Sequence, residues 1–164
     1  MKRALLVSLL CLCPAGAQSL RETASAWAEH YARAYRVPAE FVKAVIDVES
    51  GWQPHVISPK GAAGIMQLTP PAAFTFGVTN RFQIDENIRG GVAYLARLMR
   101  LFNGELRLVA AAYYAGETRI LKIGLDCADP DISRYVATVE RFYRKRRHAA
   151  TGGDRTEVVK GASQ

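Results

Sequence analysis

Glu49 is the residue whose neighbours in the sequence point most directly to chemistry. Val42, Val45 and Ile46 precede it by seven, four and three positions, so in a helix, at 100° per residue, the four side chains share one face. A carboxyl is thereby set against apolar neighbours, with no Lys or Arg on the same face. Glutamate is seldom buried without a partner, and removal from water disfavours its charged form and raises its pKa. A carboxyl that keeps its proton near neutral pH is what a general acid for glycosidic-bond cleavage requires. The competing reading is a glutamate at a helix end whose head group simply reaches water. Asp47, two positions earlier, points to the opposite side of the same helix.

The elements that must position this carboxyl read as helices. Apolar residues recur at spacings of three and four, and no stretch alternates as a half-buried strand would. Ala24, Trp27, Ala28, Tyr31 and Tyr35 form one stripe over Leu20 to Tyr35. A second helix spans about Pro38 to Ser50 and is stopped by Gly51 and Pro54. Gln53 to Thr69, rich in Gly, Pro and Ser, predicts an ordered but irregular loop, and long loops in compact domains are often functional. A short helix begins at Pro70 or Pro71, a longer one runs from Asp85 to Phe102, and another covers Glu105 to Ala115 after the Asn103-Gly104 break. The last helix, Asp131 to about Arg147, ends in Arg144-Lys145-Arg146-Arg147-His148. That cluster reads as a solvated basic end complementing the helix dipole, with a wall-binding patch as the alternative. Ala149 to Gln164 is polar and Gly-rich, and a disordered tail is expected there.

The chain of 164 residues has length for one domain. Residues 1–17 read as a secretory signal, with Lys2 and Arg3, an apolar run from Ala4 to Leu12 and the small triplet Ala15-Gly16-Ala17, and cleavage is expected after Ala17. The run is too short to span a bilayer, which needs roughly 20 residues, and Cys11 and Cys13 lack the small residue that precedes a lipidated cysteine. Residues 18–148 are then the folded domain, placed outside the cytoplasmic membrane. Loss of Lys2 and Arg3 lowers the formal net charge from +7 to +5, which favours polyanions such as wall carboxylates over a neutral partner. Cys127 is then the one remaining cysteine, excluding an intramolecular disulfide. His30, His55 and His148 are scattered, so neither a metal nor a cofactor is expected. Gly61 and Gly64 suit tight turns more than a phosphate cradle, since no strand precedes them.

One ordered set of motifs goes further. Glu49-Ser50-Gly51-Trp52, then Ser58-Pro59-Lys60-Gly61-Ala62-Ala63-Gly64-Ile65-Met66-Gln67-Leu68 with Pro70, then Asn87-Ile88, Gly90-Gly91 and Tyr94-Leu95 follow in sequence. Ala111-Ala112-Tyr113-Tyr114-Ala115-Gly116 and Arg134-Tyr135-Val136 complete it, over roughly residues 38–140. Together they resemble the signature of the soluble lytic transglycosylase family. The resemblance implies an all-α, goose-type lysozyme-like domain acting on peptidoglycan, with Glu49 as the sole catalytic carboxylate. It further implies cleavage between N-acetylmuramic acid and N-acetylglucosamine, with help from the substrate's 2-acetamido group, and closure of the C6 hydroxyl into a 1,6-anhydro end.

By the same resemblance Ser58, Met66, Gln67 and Tyr135 line the substrate cleft and Tyr113 hydrogen-bonds near Glu49. Two positions depart from the pattern. Tyr114 stands where the family usually has Asn, and Asp131 stands where it has a glutamate four residues before Tyr135. The short mature chain resembles the specialised transglycosylases of conjugation and type IV secretion more than the large recycling enzymes, which implies such a complex as partner. Three alternatives remain: a hydrolytic muramidase in which Asp85 or Glu86 holds the water, a non-catalytic wall-binding assembly protein, and a DNA-binding module, which export argues against.

Overall fold

The computed structural model describes residues 15–125 and 129–157, with side chains from 19 to 125 and from 129 to 151. Among the described residues seven helices follow one another: α1 (Ala15–Tyr35), α2 (Ala39–Glu49), α3 (Pro70–Thr75), α4 (Ile84–Leu101), α5 (Leu106–Ala115), α6 (Glu117–Ile123) and α7 (Pro130–Glu157). Among the described residues there is no strand, only two isolated bridge pairs, Ile57 with Ala63 and Ala63 with Leu68. The all-α class read from the periodicity holds.

α2 lies between α1 and α7. Its six successive residues Phe41 to Ile46 are buried, the pattern of a helix covered on several sides instead of one. Lys43 is tolerated in this run because its Nζ donates to Glu29 Oε1 at 2.7 Å and to Glu40 Oε1 at 3.4 Å. α1 packs on α2 and α4, and α7 packs on α2 and α5. Ala24, Ala28 and Ala32, spaced by four, are buried on α1 and small enough to bring neighbouring backbones close. Each large side chain fully buried here, such as Ile46, Ile88 or Leu95, contributes roughly 1.5–3 kcal/mol by leaving water.

The boundaries of α2, α4 and α5 lie within one residue of the sequence reading. Three differences have physical causes. α1 begins at Ala15, inside the segment read as a signal; residues 1–14 and Cys127 lie outside the described residues. α6 was not anticipated: Gly116, at φ 88°, ends α5 and starts α6 with no loop between them, and seven residues are too few for their periodicity to stand out. α7 continues to Glu157, past the expected stop at Arg147 and into residues read as a disordered tail. Ala149 and Ala150 are strong helix formers, and extending an existing helix needs no new nucleus. No helix of the described residues is long and apolar enough to cross a membrane.

Candidate active site

Glu49 is the last helical residue of α2, and Val42, Val45 and Ile46 on its face have no exposed surface. The chain beyond it is anchored at once: Ser50 Oγ donates to the Ile65 carbonyl at 2.7 Å and accepts from the Trp52 N–H at 3.1 Å. The irregular 53–69 loop is organised from α4 by Asn87, which is fully buried. Its Oδ1 accepts from Met66 N at 2.8 Å, and its Nδ2 donates to the carbonyls of Ala63 at 3.1 Å and Arg81 at 2.7 Å. Arg81 Nη1 in turn donates to the Gly61 and Leu68 carbonyls. Buried backbone groups that no helix satisfies are thus paired by two side chains.

Two glycines allow this close docking. Gly64 has φ 83°, and a Cβ there would lie 2.0 Å from the Arg81 carbonyl oxygen. A Cβ on Gly91 would meet Met66 Sδ at 2.4 Å, so the α4 backbone is the seat for Met66.

The Glu49 carboxyl meets a phenol instead of a cation. Tyr135, from the first part of α7, donates its O–H to Glu49 Oε1 at 2.5 Å. Burial raises the Glu49 pKa from 4.5 to about 7, with the Tyr135 hydrogen bond pulling more weakly the other way. Part of the Glu49 side chain stays accessible, so the acid is desolvated yet can be reached from outside. Burial, and then the Glu49 carboxyl, push the Tyr135 and Tyr113 phenols well above their ordinary range. Both therefore remain hydrogen-bond donors, and Tyr113 donates to the Met66 carbonyl at 2.8 Å.

Of the residues singled out from sequence, Glu49, Tyr113, Tyr114 and Tyr135 come together. Tyr114 is 44% exposed and stacks on Tyr135, with ring centres 4.8 Å apart and planes at 23°. Ser58, Met66 and Gln67 serve the loop. Ser58 Oγ accepts from Ala62 N at 3.1 Å, and Gln67 Nε2 donates to the Val56 and Gly64 carbonyls at 3.0 and 2.8 Å. Met66 has no exposed surface, which corrects the expectation that its side chain lines the cleft: what it offers the site is its carbonyl. Asp131 is exposed at the start of α7 and pairs with Arg134 at 2.8 Å. Glu86, weighed above as holder of a hydrolytic water, spends Oε2 on the Thr79 and Asn80 backbone N–H groups and the Thr79 hydroxyl.

A cleft of about 680 Å³ opens between α3, α4 and the α5–α6 junction, with Thr69, Phe76, Tyr94, Arg97, Gly116 and Lys122 among its walls. Tyr94 links it to the carboxyl side, because its ring lies 5.3 Å from Phe76 and 5.2 Å from Tyr113. An aromatic floor with charged walls suits a polar polymer that has apolar sugar faces. Among the groups the sequence reading did not assign a role, Asn87 and Tyr94 stood within the quoted motifs, whereas Arg146 as a partner of Asp47 carried no local signal.

A helical domain with a desolvated carboxyl at a helix end, hydrogen-bonded by a phenol, has the lysozyme-like fold of solved lytic transglycosylases. The chain belongs to the Transglycosylase SLT domain family, whose model matches residues 26–135. It is 33% identical over 145 residues to membrane-bound lytic murein transglycosylase F of Pseudoalteromonas translucida, which covers 78% of this chain and 30% of that protein. The lytic transglycosylase Slt of Pseudomonas aeruginosa, solved as an inactive mutant, superposes with a TM-score of 0.65 at 26% identity over 76% of this chain and 24% of that one. The 70 kDa soluble lytic transglycosylase of Escherichia coli shares the fold, with a TM-score of 0.64 at 24% identity over 74% of this chain and 24% of that one. The chain thus spans less than a third of the length of these relatives.

Proposed function

We propose that this chain is a lytic transglycosylase of peptidoglycan in which Glu49 acts first as general acid and then as general base. The observation that carries this is the Glu49 carboxyl, protonated near neutral pH because burial raises its pKa to about 7, and hydrogen-bonded by Tyr135. A pKa close to the working pH serves both halves of one cycle. In the first half Glu49 gives its proton to the glycosidic oxygen between N-acetylmuramic acid and N-acetylglucosamine. The C1–O bond breaks, N-acetylglucosamine leaves with a free hydroxyl, and the 2-acetamido oxygen of the muramic acid bonds to C1. In the second half the ionised Glu49 takes the proton of the C6 hydroxyl. O6 then bonds to C1 as the acetamido oxygen leaves, giving a 1,6-anhydro end and a reprotonated Glu49, with no water consumed.

Two further points support the lytic route over hydrolysis. Asp47, the carboxylate nearest in sequence, is engaged by Arg146 and Trp52, and Glu86, one of the two acids weighed as holder of a hydrolytic water, is engaged by Thr79 and Asn80. Among relatives, the P. aeruginosa Slt is described as inactive after a glutamate-to-glutamine change, and the P. translucida protein is named a murein transglycosylase. Ser58, Gln67, Tyr114 and Tyr135 would then border the bound glycan, with Met66 acting through its carbonyl. The same reading places the mature protein in the periplasm after cleavage behind Ala17. Its role there is local opening of the wall for a conjugation or type IV secretion complex, resting on the sequence resemblance given above.

Digestion of purified sacculi followed by mass spectrometry tests the reaction. Products one water lighter than reducing muropeptides are expected. Ordinary reducing ends would replace the lytic route by a muramidase one, and no released product from folded protein would favour a wall-binding role.

A further inference from the structure

The side of α2 turned away from Tyr135 carries a carboxylate that the reaction does not use. The Asp47 side chain is only 8% exposed, and the Arg146 side chain 21%. Arg146 Nε and Nη2 donate to the two Asp47 oxygens at 2.6 and 2.9 Å, and Trp52 Nε1 donates to Oδ1 at 2.7 Å. Arg21 Nη2 lies 3.6 Å from the same oxygen. The guanidinium groups of Arg21 and Arg146 also stand 5.2 and 5.4 Å from the centre of the buried Trp52 ring. A guanidinium fork on a carboxylate is directional as well as strong, and removing one partner leaves a buried charge uncompensated. Arg144 and Arg147, in the same basic run, are exposed, so Arg146 is set apart from its neighbours by turning inward.

Four parts of the chain meet at this carboxylate: α1 through Arg21, α2 through Asp47, the following segment through Trp52, and the far half of α7 through Arg146. α7 therefore reaches the last turn of α2 twice, with Tyr135 at Glu49 and with Arg146 at Asp47. Trp52 holds φ 73°, a conformation that costs a non-glycine residue about 1–2 kcal/mol and persists where its surroundings over-determine it. The last turn of a helix ordinarily frays, yet here it must hold Glu49 still.

We propose that Arg146, acting through Asp47 and Trp52, is a positioning residue that locks the last turn of α2 so that the Glu49 carboxyl stays seated against Tyr135. The lock also keeps Glu49 on the opposite side of the helix from the two guanidinium groups. This rests on the reading of Glu49 as the catalytic acid, and the test separates the two.

The ¹³C signal of the Glu49 carboxyl is titrated in wild type, Arg146→Ala, Arg146→Lys and Trp52→Phe, alongside kcat and KM on sacculi. The wild-type midpoint is expected near 7. Arg146→Ala should lower it by about half a unit or more, as the released turn lets water reach the carboxyl. It should also lower kcat about tenfold with KM within about twofold, the mark of lost alignment. Arg146→Lys keeps the charge but not the fork and should recover less than half of kcat. An unchanged midpoint and unchanged kcat per folded molecule in Arg146→Ala, even with a lowered Tm, would make the cluster merely structural and overturn the proposal. If Arg146→Ala does not fold, Trp52→Phe keeps an aromatic ring but removes the Nε1 donor to Asp47, and an unmoved midpoint there overturns it equally. The titration needs no substrate, so a wild type without turnover would sink the catalytic reading and still leave the lock measured.

Discussion

Asp47 and Glu49 are two residues apart on one helix and have opposite surroundings. Asp47 is matched by a bidentate guanidinium, an indole N–H and a second guanidinium at longer range. Glu49 is met by a phenol and apolar neighbours, and its pKa rises to about 7. The difference teaches that the neighbours on each face, and not the carboxyl itself, determine which acid is available for proton transfer. On the proposed reading one helix end is both rigid and reactive: the charged face supplies hold, and the desolvated face supplies chemistry.

The contrast breaks most sharply at Glu49. Glu49→Gln keeps the shape but can neither give nor take the proton, and muropeptide release by equal amounts of folded protein should fall by about a thousandfold or more. Residual activity within about tenfold of wild type would make the two carboxyls functionally alike. The same variant sharpens the energetics. Since burial raises the pKa from 4.5 to about 7, the folded protein binds this proton more tightly than the unfolded chain. The stabilisation from the bound proton is fully present below about 4.5 and lost as pH rises through 7. Glu49→Gln should therefore be more stable than wild type at pH 8, by on the order of 2–3 kcal/mol, with the gain vanishing at low pH in urea unfolding curves.

Tyr135→Phe comes next in size. It removes the donor that favours ionised Glu49, so the Glu49 pKa should move above 7 and carry the alkaline limb of kcat/KM upward with it. Turnover should fall about tenfold to a hundredfold, because the carboxylate formed after the first proton transfer loses its partner. A limb that moved downward in the pH–rate profile would show that Tyr135 raises the pKa by excluding water instead. The smallest effect is expected at Tyr114, which touches the pair from outside. Tyr114→Asn should raise KM a few-fold with kcat within about twofold, read from initial rates, since it changes the ring face beside Tyr135 and not the carboxyl.

Much of the helical frame was legible because its apolar spacing is local. Val42, Val45, Ile46 and Glu49 share a face by arithmetic, and the ends of α2, α4 and α5 are marked by Pro38, Gly51 and Asn103-Gly104. What misled was context. Met66 sits in a motif that borders a cleft, yet the glycine at position 91 lets it sink fully against α4. Arg146 lies in a run of five basic residues, and a run of like charge reads as solvated unless one member happens to find a buried acid. α6 is too short to announce itself, and the tail's polarity concealed that α7 could simply continue.

By itself the amino-acid order determined the helical class and the single carboxyl on an apolar face, while Tyr113, Tyr114 and Tyr135 were picked out by the family resemblance. Tertiary structure alone decided which groups meet that carboxyl and its neighbour: Tyr135, 86 positions from Glu49, and Arg146, 99 positions from Asp47. The physical reason is that helical periodicity records which face avoids water. The way two helices cross, which decides what covers that face, depends on all the side chains packed between them.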